Sequence, residues 1–228
     1  MLTAEPVTAS RYASERRLLV QVSELLYRRR MTELQGGNMS LRVDAVAITT
    51  PTRASDFYGW RLPAEDALIL DLEGGVIEGD AGRISRETAL HARLYRAFPE
   101  VGAVFHLHLP EALAAAASGR WKPGVVTDDP RRYGATIVLL EPGLRAQTEP
   151  HDRRVVQLLS AVPREAGAIS ISPGHGIFSI ARDWATNVAA ADIFRQRLAL
   201  ERLRGLIGRG TDGAAEPGTG PDDRVGAA

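Results

Sequence analysis

Three histidines and one glutamate are the residues of this chain best suited to chemistry. His106 and His108 are two residues apart in a segment, 101–109, that is rich in β-branched and aromatic residues and predicts a buried strand. Because side chains i and i+2 of a strand project from the same face, both imidazoles can reach a single ion. His175 lies in a Gly/Pro turn, and Glu87 lies in the first turn of a predicted helix. Imidazoles with one carboxylate suit zinc or another first-row divalent metal.

Each of these residues also has an ordinary structural interpretation. Two strand histidines can simply hydrogen-bond within a core, and Glu87 can be a favourable charge at a helix N-terminus. His91, one helical turn after Glu87, is expected to pack behind the site, whereas His151 begins a polar segment and is expected to be exposed. The pattern alone therefore leaves both interpretations open.

Helix and strand patterns alternate along the chain, which favours an α/β or α+β fold. Ser85 is a candidate N-cap for a helix that runs to Phe98 and is followed by Pro99. The predicted helices cover 10–30, 85–98, 111–118, 151–160 and 184–206. The predicted strands cover 39–43, 46–50, 67–71, 76–78, 101–109, 136–140, 168–172 and 176–180.

The composition excludes several classes of protein. The 228 residues include no cysteine, which rules out disulfides, thiolate metal sites and thiol nucleophiles. With 28 basic and 28 acidic residues, the chain has no broad attraction to nucleic acid or to an anionic membrane surface. The apolar runs are far shorter than the roughly 20 residues that span a bilayer, and residues 1–12 lack the pattern of a signal peptide. We expect a cytoplasmic protein with one domain over 1–208 and a disordered tail over 209–228.

Four segments in a fixed order resemble the class II aldolase/adducin family, which includes fuculose-phosphate aldolase. They are Gly37-Asn38-Met39-Ser40, Thr50-Pro51-Thr52, the stretch from Ser85-Arg86-Glu87 to His106-Leu107-His108, and Gly174-His175-Gly176. The spacing of 19 residues between Glu87 and His106 matches the family as well, and the resemblance covers about residues 14–204. It implies a three-layer α/β/α domain with a largely antiparallel central sheet. It also implies assembly as a homotetramer with active sites at subunit contacts.

The resemblance further implies roles for individual residues. His106, His108 and His175 would hold a divalent metal, with zinc favoured and iron or manganese as alternatives. That ion would act as a Lewis acid on a substrate carbonyl and hydroxyl, while Glu87 would move the proton. The residues that would bind the substrate, through a phosphate in the sugar-phosphate members, are Gly37, Asn38, Thr52, Arg53, Ser85 and Arg86.

Two features of this substrate set depart from the family pattern. Arg53 stands where a glycine is expected, and Arg86 stands where a second hydroxyl is expected. Both arginines could bind phosphate or a carboxylate, or could simply be solvated. Other changes are Leu107 between the paired histidines and the lack of any tyrosine after Tyr133, so that no C-terminal tyrosine can protonate an aldol intermediate.

The favoured function is a metal-dependent lyase that cleaves or dehydrates a small hydroxy-ketone, preferably a phosphorylated sugar derivative. Glu87-Thr88 followed by His91 also resembles methylthioribulose-phosphate dehydratases. One alternative is a non-haem-iron, aldolase-like oxygenase or decarboxylase that acts on a keto or hydroxy acid in secondary metabolism. Another is a non-catalytic, adducin-like interaction module, against which the intact histidines argue. The expected partners are a small-molecule substrate and other copies of the chain, with neither nucleic acid nor membrane.

Overall fold

A computed structural model describes residues 11–33, 36–53 and 60–211. The part of the predicted tail beyond residue 211 lies outside the described residues. The helices are α1 (Ala13–Arg28), α2 (Thr88–Ala97), α3 (Pro110–Ala117), α4 (Pro130–Tyr133), α5 (Glu149–Ser160) and α6 (Trp184–Thr211). The strands are β1 (Asn38–Val43), β2 (Val46–Thr49), β3 (Leu68–Asp71), β4 (Val76–Glu78), β5 (Ala103–Leu107), β6 (Gly124–Thr127), β7 (Thr136–Leu139), β8 (Ala168–Ser172) and β9 (Gly176–Ala181).

All nine of these strands form one mixed sheet in the order β4-β3-β2-β1-β5-β9-β8-β7-β6. Neighbouring strands are antiparallel, except that β7 and β8 are parallel. The strand with the paired histidines, β5, is therefore central, between β1 and β9. Its register places His106 opposite Asn38 on one side and Phe178 on the other.

Helices cover both faces of the sheet, which confirms the predicted three-layer α/β/α fold. Side chains of α1, α3 and α6 pack on one face against residues such as Phe105 and Ile177. Side chains of α2 and α5 pack on the other face against Val104 and Phe178. Since Val104 and His106 are two apart in β5, His106 belongs to the face that α2 and α5 cover. In the described part of the chain, no helix combines the length and apolar character needed to span a bilayer.

The structure corrects the predicted boundaries of two helices and adds two short elements. The helix α2 begins at Thr88 with Glu87 as its N-cap residue, so Ser85 lies two residues too early for that role. Strand β6 and the short helix α4 had not been predicted. The closing helix continues to Thr211 rather than ending at residue 206.

Candidate metal centre

The three predicted ligands converge at one end of β5. His106 is the penultimate residue of that strand, His108 follows its end, and His175 lies in the turn between β8 and β9. One ring nitrogen from each lies within 4.8 Å of the others, and the Nε2 atoms of His106 and His108 are 3.0 Å apart. His106 is buried, whereas His108 and His175 are partly exposed. Three residues distant in sequence thus form a compact set of imidazole donors.

Glycines make room for these rings. A Cβ at Gly36 would overlap the His108 ring, and one at Gly176 would lie 2.7 Å from His106 Cε1. Gly37 adopts a φ of +90°, and a Cβ there would lie 2.7 Å from both the His106 carbonyl oxygen and Thr32 Oγ1. Gly37 therefore has a structural reason to be glycine, whatever it contributes to a ligand.

The protonation pattern of the cluster fits a divalent cation. His106 Nδ1 donates to the carbonyl oxygen of Ile177 at 3.0 Å, which leaves a lone pair on Nε2. That Nε2 faces His108 Nε2 at 3.0 Å and a Glu87 carboxylate oxygen at 3.2 Å. Burial lowers the pKa of His106 to about 3, so the ring is neutral, as a metal ligand must be. The lone pair of His106 Nε2, the His108 Nε2 atom and a Glu87 oxygen therefore lie close together, and a cation bound between them would be attracted to all three.

Glu87 lies beside the cluster as a buried carboxylate. Its Oε2 accepts a hydrogen bond from Asn38 Nδ2 at 2.7 Å, and its Oε1 accepts from His175 Nε2 at 2.6 Å. Burial by itself raises the pKa of this carboxyl, but the hydrogen bonds donated by His175 and Asn38 and the electrostatic influence of the neighbouring imidazoles outweigh burial. The net result is a pKa well below the usual range, so Glu87 is ionised and can accept a proton.

The six predicted substrate-binding residues line the same cavity of about 260 Å³ as Glu87 and the three histidines. They are Gly37, Asn38, Thr52, Arg53, Ser85 and Arg86. The geometry therefore brings together every residue proposed for the site. Among them, Asn38 also donates a side-chain N–H to Glu87.

Comparison with known proteins assigns the chain to a family. A sequence profile of the Class II Aldolase and Adducin N-terminal domain matches residues 17–200, which is most of the chain. The chain belongs to the class II aldolase and adducin family. The expected resemblance is thereby confirmed.

Relatives within this family have different names. The chain is 37% identical over 105 residues to a methylthioribulose-1-phosphate dehydratase from Marinobacter nauticus, a match that covers 45% of this chain and 48% of that one. It is 36% identical over 96 residues to a 3-oxo-tetronate 4-phosphate decarboxylase from Haemophilus influenzae, covering 42% and 43%. The chain therefore spans slightly less than half the length of these curated relatives. An L-fuculose-1-phosphate aldolase structure from Thermus thermophilus superimposes with a TM-score of 0.64 at 23% identity, covering 89% of this chain and 100% of the other, and shows the shared fold.

The two arginines that depart from the expected pattern line the same cavity. Arg53 is exposed and has a φ of +56°, so it adopts the left-handed backbone that the expected glycine would favour. Arg86 is exposed too, and within residues 11–33, 36–53 and 60–211 it forms no ion pair with a carboxylate. The substitutions therefore add positive charge at the entrance without abolishing the local backbone geometry.

The other histidines differ in how well they were predicted. His91 is buried as expected, and its Nδ1 lies 2.8 Å from Ser40 Oγ. The expectation that His151 is exposed was wrong, since the side chain is fully buried and its Nε2 lies 2.8 Å from Ser172 Oγ. His151 lies on the inner stripe of α5 together with Val155 and Leu158, and this i, i+4, i+7 spacing could have predicted its burial.

Two residues of the cavity had not been singled out. Gly36 lines it beside His108, and Gln147 lines its rim with Nε2 3.3 Å from Glu87 Oε1. A glutamine in a polar loop has no distinguishing sequence signal, so only the fold could reveal it. Trp60 does not line this cavity: it is buried in the core and donates its Nε1–H to the Glu33 carbonyl oxygen.

Proposed function

We propose that this family member is a metal-dependent lyase that acts on a small phosphorylated hydroxy-ketone. The observation that carries the proposal is the ionised Glu87 carboxylate in direct contact with a three-histidine cluster at the base of a cationic cavity. A divalent ion held by His106, His108 and His175 would polarise a substrate carbonyl or hydroxyl oxygen. Zinc suits this set of donors best, with iron and manganese as alternatives.

Side chains of the protein would transfer the proton, bind the anionic group of the substrate and orient the base. Glu87 accepts the proton that the substrate loses, since it is ionised and its oxygens face the cluster. Arg53 and Arg86 bind the anionic group of the substrate, helped by the hydroxyls of Thr52 and Ser85. Because Asn38 Nδ2 donates to Glu87, one role of Asn38 is to orient the base.

Three lyase reactions are supported by the names of the relatives: dehydration, decarboxylation and, through the shared fold, aldol cleavage. All three create negative charge beside a carbonyl, which the cluster is placed to stabilise. We favour dehydration or aldol cleavage, with dehydration supported by the most identical relative described above. Intact metal ligands argue against a purely non-catalytic module, and assembly as a homotetramer remains a prediction.

The first test is metal content and turnover of the purified protein. Elemental analysis should find about one equivalent of zinc, and His106→Ala and His175→Ala should each lose it. Methylthioribulose 1-phosphate, fuculose 1-phosphate and 3-oxo-tetronate 4-phosphate would be tested as substrates. Iron in place of zinc would favour the oxygenase alternative, and no bound metal would contradict the proposal.

Glu87→Gln should retain the metal but lose about 10²–10⁴-fold in kcat, the usual contribution of a general base. Glu100→Gln is the matched control, because Glu100 is an exposed glutamate paired with Arg164 outside this cavity. Normal turnover by Glu87→Gln would remove Glu87 from the mechanism.

A further inference from the structure

Gln147 combines an unfavourable backbone with a functional contact. It lies in the loop before α5, at the rim of the metal-centre cavity, and is exposed. Its φ is +63°, a left-handed conformation that residues with a side chain adopt at a cost. Strain of this kind at an exposed position persists where a site needs the side chain in that place.

The only hydrogen-bond partner of the Gln147 side chain within the described ranges is Glu87. An exposed side chain that contacts one catalytic carboxylate contributes little to the core. Loss of the Gln147 amide should therefore affect the position of Glu87 much more than the stability of the fold.

The nitrogen neighbours of the Glu87 carboxylate fall into two kinds. Two are imidazole nitrogens: His175 Nε2, which donates to Oε1 at 2.6 Å, and His106 Nε2, which carries a lone pair and lies 3.2 Å from Oε2. The other two are side-chain amides, Asn38 Nδ2 at 2.7 Å from Oε2 and Gln147 Nε2 at 3.3 Å from Oε1. Each carboxylate oxygen thus has one imidazole and one amide neighbour.

Metal binding through His175 Nε2 would remove the one imidazole that donates to Glu87. A nitrogen that coordinates a cation uses its lone pair for the metal and carries no proton, so it cannot donate to a carboxylate. The amides keep their N–H groups in either state. Once the histidines hold a cation, Asn38 and Gln147 are the remaining donors, one on each oxygen of Glu87.

We infer that Gln147 is a positioning residue that holds Glu87 Oε1 in the loaded centre, while Asn38 holds Oε2. Two donors on opposite oxygens fix both the direction and the plane of a carboxylate, as a base acting on one substrate proton requires. The inference rests on the proposed role of Glu87 as the base.

A spectroscopic test needs no substrate. Co²⁺ would be loaded into the wild type, into Gln147→Met, which keeps the length but lacks the donor, and into the control Gln157→Met. Gln157 is an exposed glutamine of α5 that contacts Arg154 instead. Co²⁺ visible bands respond to the ligands and to the charges that neighbour them, and Glu87 lies beside His106 and His175. A displaced Glu87 should therefore move the bands in Gln147→Met, and they should stay in place in Gln157→Met. Identical spectra for all three proteins would overturn the inference.

Kinetics and stability supply the second test. On the substrate that the wild type consumes, Gln147→Met should lower kcat about ten- to hundredfold, the range for a hydrogen bond to a charged group, and leave KM within twofold. Gln147→Gly should lower kcat similarly, while the Tm of its metal-free form equals or exceeds that of the wild type. A kcat within twofold of wild type for Gln147→Met, or a lower Tm for Gln147→Gly, would overturn the inference.

The failure of the proposed function has a different signature. Wild-type protein that binds no Co²⁺, or a Glu87→Gln variant with normal turnover, would overturn both the proposed function and the inference that depends on it. Co²⁺ binding and loss of turnover in Glu87→Gln, together with unaffected Gln147 variants, would overturn the inference alone.

Discussion

Arg53 shows how a single residue can keep a backbone and change a site. Its φ of +56° preserves the left-handed turn at which the family pattern has glycine. The side chain places a guanidinium at the cavity rim, next to Thr52. Guanidinium groups bind both phosphates and carboxylates in a bidentate manner. The change therefore alters what the entrance attracts without requiring a new loop.

Arg53→Gly should weaken anion binding without loss of stability. A left-handed backbone costs a residue with a side chain about 1 kcal/mol, partly offset by the greater freedom of glycine in the unfolded chain. Loss of the charged hydrogen bond should weaken binding of the phosphorylated substrate by about 1.5–3 kcal/mol. The measurements are the KM of that substrate, the inhibition constant of inorganic phosphate, and the Tm.

Arg30→Gly is the matched control, because Arg30 is also exposed, has a φ of +57°, and lies away from the cavity. Both variants should have a Tm close to or above that of the wild type, and only Arg53→Gly should change phosphate inhibition. Equal inhibition of all three proteins by phosphate would exclude Arg53 from the anion site.

Among the elements, β5 brings the site together because its neighbours in the sheet carry the other groups. Asn38 begins β1, and Phe178 in β9 stacks on the His106 ring at 4.5 Å between centroids. The β-branched and aromatic residues of segment 101–109 made this strand predictable from sequence, and the i, i+2 spacing of His106 and His108 put both histidines on one face. The sequence could not predict that loop 140–148 reaches the same cavity, since that depends on where α5 packs.

Strand β6 and helix α4 were not predicted, although each has sequence features that favour its structure. Strand β6 has only four residues, yet Val125 and Val126 are adjacent β-branched residues. Helix α4 has an aspartate N-cap, a proline at its first position and a left-handed Gly134 at its end, all normal boundary signals. Its single turn gives no periodic pattern. Short elements at the edge of a sheet are therefore where prediction by periodicity fails.

A hydrogen bond between His151 of α5 and Ser172 supports the turn that contains His175. His151 contacts Ser172 Oγ at 2.8 Å, and the Ser172 carbonyl oxygen accepts the His175 N–H at 3.0 Å. Ser172→Ala should leave His151 Nε2 buried without a partner, which costs about 1–3 kcal/mol of unfolding free energy. Because the turn then loses an anchor, Co²⁺ affinity should fall about tenfold, as for other groups that orient metal ligands.

Ser170→Ala serves as the comparison. Ser170 is a buried serine of the same strand, and its hydroxyl makes only a 3.5 Å contact with the Phe178 carbonyl oxygen. Urea unfolding and a Co²⁺ titration of both variants would separate the two effects. Equal Co²⁺ affinities for the Ser172 and Ser170 variants would show that the α5 contact does not support the metal centre.

At the scale of the whole molecule, the core on the side of the sheet that α2 and α5 cover contains two buried, neutral imidazoles, those of His91 and His106. His91 is buried, and burial lowers its pKa to about 4 despite the opposing charge of Glu87. Burial lowers the pKa of His106 to about 3 in the same way. A histidine in the unfolded chain has a pKa of about 6.5. As the pH falls below that value, these histidines bind protons in the unfolded chain but stay neutral in the folded protein. The metal-free protein should therefore lose stability as the pH falls below about 6.5.

His91→Gln should remove one part of this pH dependence. Between pH 7 and pH 5, each buried neutral histidine lowers the unfolding free energy by about 2 kcal/mol, and carboxylates titrate mostly below that window. Glutamine can still hydrogen-bond Ser40 but cannot be protonated, so the loss for the variant should be smaller by about 2 kcal/mol. The measurement is urea unfolding of metal-free protein at pH 7, 6 and 5. Tyr95→Phe is the control, because Tyr95 OH lies 2.8 Å from the same Ser40 hydroxyl and burial raises its pKa far above the window. That control should lower stability equally at each pH, whereas a wild-type pH dependence in His91→Gln would show that His91 accepts its proton in the folded state.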